Sequence, residues 1–99
     1  MSWRIRYAPA ARDDLKRLYA FLLERDIAAA RAALAAILSG ADLLRESPFA
    51  CRKADEANPF LRELLIPFGS AGYVALFEIE DGQTVTVLAV RHQREDDYH

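Results

Sequence analysis

Chemistry in this chain would have to come from arginine, histidine, cysteine or tyrosine at the ends of its extended segments. Arg4 and Arg6 alternate with Trp3, Ile5 and Tyr7, Arg62 opens a later apolar run, and Arg91, His92 and Arg94 close the last one. Guanidinium groups bind carboxylate or phosphate through a bidentate fork. Gathered on a helix-free sheet face, they would await an acidic partner or a phosphate backbone. The same arginines also fit a solvated surface neutralised by Glu63, Glu78, Glu80 and the acidic tail, and residue types alone leave both readings open. His92 reads as a hydrogen-bonding strand terminus rather than a base, since no carboxylate partner is evident. Cys51 stands beside Arg52 and Lys53, neighbours that lower a thiol pKa, yet both histidines lie far along the chain. A single cysteine excludes an intramolecular disulfide and a thiolate zinc cage. Gly69-Ser70-Ala71-Gly72 resembles a phosphate nest but reads as a strand-to-strand turn, because no helix follows it. No metal site and no cofactor are expected.

The chain has 99 residues, 53% hydrophobic and 28% charged, with a net charge of −2. That is one globular domain, 1–99, too short to enclose a large cofactor deeply. Its thirteen basic residues include only two lysines, Lys16 and Lys53. No signal-peptide core is evident and no stretch reaches the ~20 apolar residues of a membrane span. A cytoplasmic domain with no membrane partner is the expectation.

Periodicity supplies the elements. Residues 3–7 alternate as a strand. Pro9 opens a helix to about Glu24, with Leu15, Leu18, Tyr19 and Leu22 on one stripe and Asp13 and Asp14 in its early turns. Asp26 is the N-cap of a second helix running to about Glu46, in which Gly40 is a mild flaw. The short connection makes the two helices an antiparallel hairpin. Residues 47–60 read as a loop with a proline near each end. Strands follow over Leu61–Pro67, Tyr73–Glu80 and Thr84–Arg91, the last pair joined at Asp81-Gly82. The last strand is oily on both faces and therefore interior. A polar tail occupies 91–99. The order βααβββ predicts an α+β fold, a helical hairpin packed on a small, mostly antiparallel four-stranded sheet.

The ending Val87-Leu88-Ala89-Val90-Arg91-His92-Gln93-Arg94-Glu95-Asp96-Asp97-Tyr98 resembles the ParE branch of the RelE/ParE toxin superfamily. The Pro-led helix after Tyr7-Ala8, the close of the second helix at Ser47-Pro48, Leu61-Arg62-Glu63-Leu64 and Gly72-Tyr73-Val74-Ala75-Leu76-Phe77 extend the likeness over nearly the whole chain. Departures are Ala8, where many relatives carry a capping Ser, and the few residues after the signature.

The resemblance implies the toxin of a type II toxin–antitoxin pair, neutralised by a cognate antitoxin and reaching operator DNA only through it. A homodimer or a heterotetramer with antitoxin is compatible with this. It implies inhibition of DNA gyrase by direct binding, with Arg91, His92, Arg94, Asp96 and Tyr98 as candidates for the target face. Candidates for the antitoxin face are Arg4, Arg6, Leu18, Phe21, Leu22, Arg62 and Phe77. The alternative is a ribosome-dependent mRNA endonuclease of the RelE type, using Arg62, Arg91, His92, Arg94 and Tyr98. Metal-free RNA cleavage must stabilise a phosphorane and protonate a leaving oxygen. No cation lies between Arg62 and Arg91, so a non-enzymatic toxin is the expectation. A third reading is an inactive antitoxin-binding co-repressor.

Overall fold

The computed structural model describes residues 2–94. Strand β1 (Arg4–Tyr7) leads into helices α1 (Pro9–Leu23) and α2 (Ile27–Asp42), with a 3₁₀ turn at Leu43–Arg45 and another at Pro48–Ala50. Strands β2 (Arg52–Asp55), β3 (Asn58–Phe68), β4 (Ala71–Glu80) and β5 (Thr84–His92) follow. They form one sheet in the order β1-β5-β4-β3-β2, parallel only between β1 and β5. The α+β architecture is as expected; the sheet has five strands rather than four. The extra strand lies inside the stretch read as a loop. All four of its residues are exposed, so it carries no apolar alternation by which sequence could announce it.

Each helix starts for a local reason. Pro9 occupies the first turn of α1, where a missing N–H leaves no bond unmade, and Ala8 supplies no side-chain cap. At α2 the Asp26 carboxylate accepts from the amides of Ala28 and Ala29 at 2.9 and 3.2 Å. Asp26→Ala should therefore lower stability by about 1 kcal/mol in urea unfolding, the usual worth of such a cap. Gly40 proves useful rather than flawed. A Cβ there would sit 3.0 Å from Ile66 Cγ1, so the glycine lets α2 lie close on β3. The helical run Ile27–Arg45 is long and apolar enough, by length and composition alone, to match a membrane span. This corrects the sequence expectation on that point. Ala30, Ala33, Ile37, Ala41 and Leu44 along it are buried in the fold.

The core lies between the helices and one sheet face. Phe77, Val85, Val87, Val90, Ile37 and Leu44 are its large fully buried side chains, with Ile66, Tyr73 and Ile79 around them. Strand β5 is interior and apolar, as its sequence suggests.

One irregularity in β5 matters for the site. Residues Glu80 to Phe77 pair in order with Thr84 to Val87, and then the register shifts, so that Leu76 meets Ala89. Leu88 is the extra residue of a β-bulge. Because successive strand residues face opposite ways, a slip of one exchanges the faces of everything beyond it. Without the bulge Tyr73 would oppose Arg91; with it Tyr73 opposes His92, and Arg91 opposes Val74. On the other side of β5, β1 pairs only as far as Val87. The buried Asp14 of α1 takes over there, its Oδ2 accepting from the Val90 amide at 2.9 Å.

Candidate functional site

A groove of about 710 Å³ lies between the second half of α1 and the end of the sheet where the β3–β4 turn meets the exit of β5. Helix α1 contributes Arg17, Leu18, Phe21 and Leu22 at helical spacing. The turn contributes Phe68 to Ala71, and Tyr73, His92 and Arg94 complete the lining.

The floor is aromatic. The Tyr73 and His92 rings meet edge-to-face, centroids 5.5 Å apart, and Phe68 lies 6.0 Å from Tyr73. Burial pushes the Tyr73 phenol above its ordinary value, so it remains protonated through the neutral range. The chain leaving β5 is pinned twice: the Gln93 amide donates to the Gly72 carbonyl at 2.9 Å, and the Arg94 amide donates to His92 Nδ1 at 3.2 Å. These two bonds fix His92 and Arg94 at one end of the groove. At the other end Phe21 is half-exposed, with the Arg25 guanidinium 3.8 Å over its ring and bonded to its carbonyl. Arg17 lies 3.7 Å from the Asp14 carboxylate. The result is an apolar trough rimmed by guanidinium and imidazole groups, suited to an extended or helical segment carrying apolar and acidic side chains.

The expected arginine face does not form as one surface. Arg4 and Arg6 lie on the helix-free face, in rows shared with Thr84 and Glu80 and with Thr86 and Glu78. The Thr86 hydroxyl donates to the Glu80 carboxylate. Arg52 pairs with Glu63 at 3.1 Å. Acids are thus interleaved with bases there, close to the neutralised surface that the sequence left open. Arg62 is a strap: it donates to the carbonyls of Pro59, Phe49 and Cys51 at 2.7, 3.2 and 2.8 Å, tying the 3₁₀ turn to β3. It pairs with Phe77, four residues along β4 from Tyr73, roughly 13 Å of strand from the groove. Arg91, opposite Val74, bonds to the His92 carbonyl at 3.2 Å.

Of the candidates for the antitoxin face, Leu18, Phe21 and Leu22 line the groove. Phe77 must be withdrawn, since it is 0% exposed in the middle of the core and meets no partner while the protein is folded. The target-face candidates His92 and Arg94 lie in the same groove, so two sets named separately from sequence adjoin. Asp96 and Tyr98 lie outside the described residues. Sequence reasoning missed Arg17, Phe68 and Tyr73 as lining. For Tyr73 the signal was the Asp81-Gly82 turn, from which counting outward pairs it with Arg91, one residue short because of the bulge. Cys51 does not become reactive: burial pushes its thiol up, only partly offset by Arg62. No cluster of metal-ligating groups occurs among the described residues.

Comparison with known proteins agrees with this geometry. The family model described as the ParE toxin of the type II toxin–antitoxin system parDE matches residues 5–97. Two proteins of Caulobacter vibrioides, Toxin RelE3 and Toxin RelE1, are each 35% identical, over 92 and 93 residues, covering 92% and 93% of this chain and 95% of each relative. The chain shares its fold with a chain of the chromosomal ParDE system of P. aeruginosa, at TM-score 0.74 and 17% identity over 92% of this chain and 96% of that one. It also superposes on a chain of the Mycobacterium tuberculosis RelBE2 toxin–antitoxin complex, at TM-score 0.64 and 24% identity over 94% of this chain and 100% of that one. With its helical hairpin, its mixed sheet and a family match spanning almost every residue, the chain belongs to the ParE toxin family of type II toxin–antitoxin systems.

Proposed function

We propose that this toxin acts in the cytoplasm by gripping a protein target, DNA gyrase, rather than by cutting RNA. A cognate antitoxin silences it by filling the groove. The make-up of that groove carries the reading: Leu18, Phe21, Leu22 and Phe68 form an apolar wall beside Arg17, His92 and Arg94. A segment lying on the wall would cover His92 and Arg94, so neutralisation and target contact would compete for one surface. The two solved structures compared above come from toxin–antitoxin systems, which supports an antitoxin partner here by analogy of fold. Operator DNA is then reached only through the antitoxin.

A second reading has its own observation. Two guanidinium groups, an imidazole and a buried phenol do meet in the groove, which is part of what an RNA-cleaving site requires. Against it, Arg62 is engaged elsewhere, Arg17 is beside Asp14, and β3 and β4 add no cation to the groove. Missing phosphorane-stabilising groups cost ~10²–10³ in rate apiece.

The two readings separate in paired assays on purified toxin. Inhibition of gyrase supercoiling, with intact message in primer extension on programmed ribosomes, is the expected result. Cuts in the ribosomal A site without gyrase inhibition would replace it with the endonuclease. Silence in both assays, with unimpaired growth on expression, would leave the co-repressor module.

A further inference from the structure

Among the described residues, the outer edge of β2 pairs with nothing. It is the last strand of the sheet, bonded only to β3, and all four of its residues are exposed. Exposed edges are normally protected by charge, because a bare edge templates another strand. Here the charges follow a particular order. Arg52-Lys53-Ala54-Asp55-Glu56 runs from two positive residues, through one neutral, to two negative. At Ala54 the ladder to β3 shifts register through extra residues on β3. Reversed and set against itself about Ala54, the strand places Lys53 opposite Asp55 of a second copy, and Glu56, in the turn just after β2, falls in line with Arg52 of that copy. Twofold symmetry repeats both pairs.

We propose that this edge joins two copies of the toxin by antiparallel β2–β2 pairing centred on Ala54, making one continuous sheet across the pair. Isologous contact of this kind is the commonest route to a dimer. The charge order also fixes the register. Centring on Lys53 or on Asp55 would oppose like charges, which is unfavourable across a strand pair, whereas opposite charges are favourable. Directly opposed residues share a face, so Lys53 meets Asp55 of the second copy on the side where Arg62 and the half-exposed Phe49 and Phe60 lie. Arg52, already at Glu63, is on the other side, and Glu56 of the second copy reaches it from the turn after β2. The groove at the far end of the sheet stays open in this arrangement, so the dimer and occupation of the groove are independent.

Sedimentation of the full chain over a concentration series tests this. A reversible monomer–dimer equilibrium is expected. Lys53→Glu alone and Asp55→Lys alone should each weaken it roughly tenfold or more, as two attractions per dimer become repulsions. Mixed together, the two variants should associate again, because the altered edges are complementary to each other. Asp55 also accepts from the Ala57 amide at 2.9 Å, so the Asp55→Lys melting curve is compared with that of the parent. The double variant Lys53→Glu/Asp55→Lys restores charge order within one chain and should dimerise by itself. A monomer at every concentration, or a dimer indifferent to both reversals, would overturn the proposal.

Discussion

Gly72→Ala is expected to lose about 3–5 kcal/mol, a large share of the roughly 5–15 kcal/mol that holds a domain of ordinary stability folded. Gly72 has φ +152, and a Cβ at that position would stand 2.2 Å from the Ile66 carbonyl oxygen. The obstacle is backbone of β3, not the tip of a flexible side chain, so two strands would have to separate to admit a methyl group. Strain and overpacking each cost about 1–3 kcal/mol. The Gly72 carbonyl also receives the Gln93 amide, so displacement would release the start of the chain beyond β5. Gly69→Ala is the natural comparison: φ is +62, but nothing lies within 4 Å, and only the left-handed penalty of about 1–2 kcal/mol applies. Urea unfolding of the pair should show a clear gap; equal losses would mean that crowding at Gly72 is relieved cheaply.

The second large effect is at Asp14. Its carboxylate lies 4% exposed beneath α1 and accepts from the Val90 amide across 76 residues of sequence. Asp14→Ala would leave that amide buried beside a methyl group, an expected loss of about 2–3 kcal/mol. Asp14→Asn keeps an oxygen that can accept and should lose about half as much. Since Val90 lies just after the bulge in β5, the alanine variant should also speed hydrogen exchange at Val90 and its neighbours more than in the rest of the sheet. Uniform acceleration throughout the sheet would mean that Asp14 serves global stability and not this strand in particular.

Sequence legibility followed burial. The Pro9 start, the Asp26 cap, the apolar stripes of both helices and the doubly buried β5 were all readable, because each writes a periodic or positional signal. Strand β2 has four exposed residues and writes none. Phe77 was misplaced for a related reason: its strand has buried residues on both faces, so alternation could not tell partner-facing from core-facing. The groove was half legible. Leu18, Phe21 and Leu22 follow helical spacing, and His92 and Arg94 stand at a strand end. That these five meet depends on α1 lying across β5, which no local pattern records. The interleaving of Arg4 and Arg6 with Glu78 and Glu80 likewise comes from cross-strand register, between residues far apart in the chain.

The register beyond Leu88 gives the groove a simple genetic handle. Removing the Leu88 codon would even the ladder and keep His92 opposite Tyr73, so the aromatic floor should survive the deletion. One residue inserted between Leu88 and Arg91, with the bulge kept, would instead set Arg91 opposite Tyr73, sending the imidazole outward and a guanidinium inward. A trough with an aromatic floor would then become one with a fixed positive charge at its base, a change of ligand preference made with almost every side chain retained.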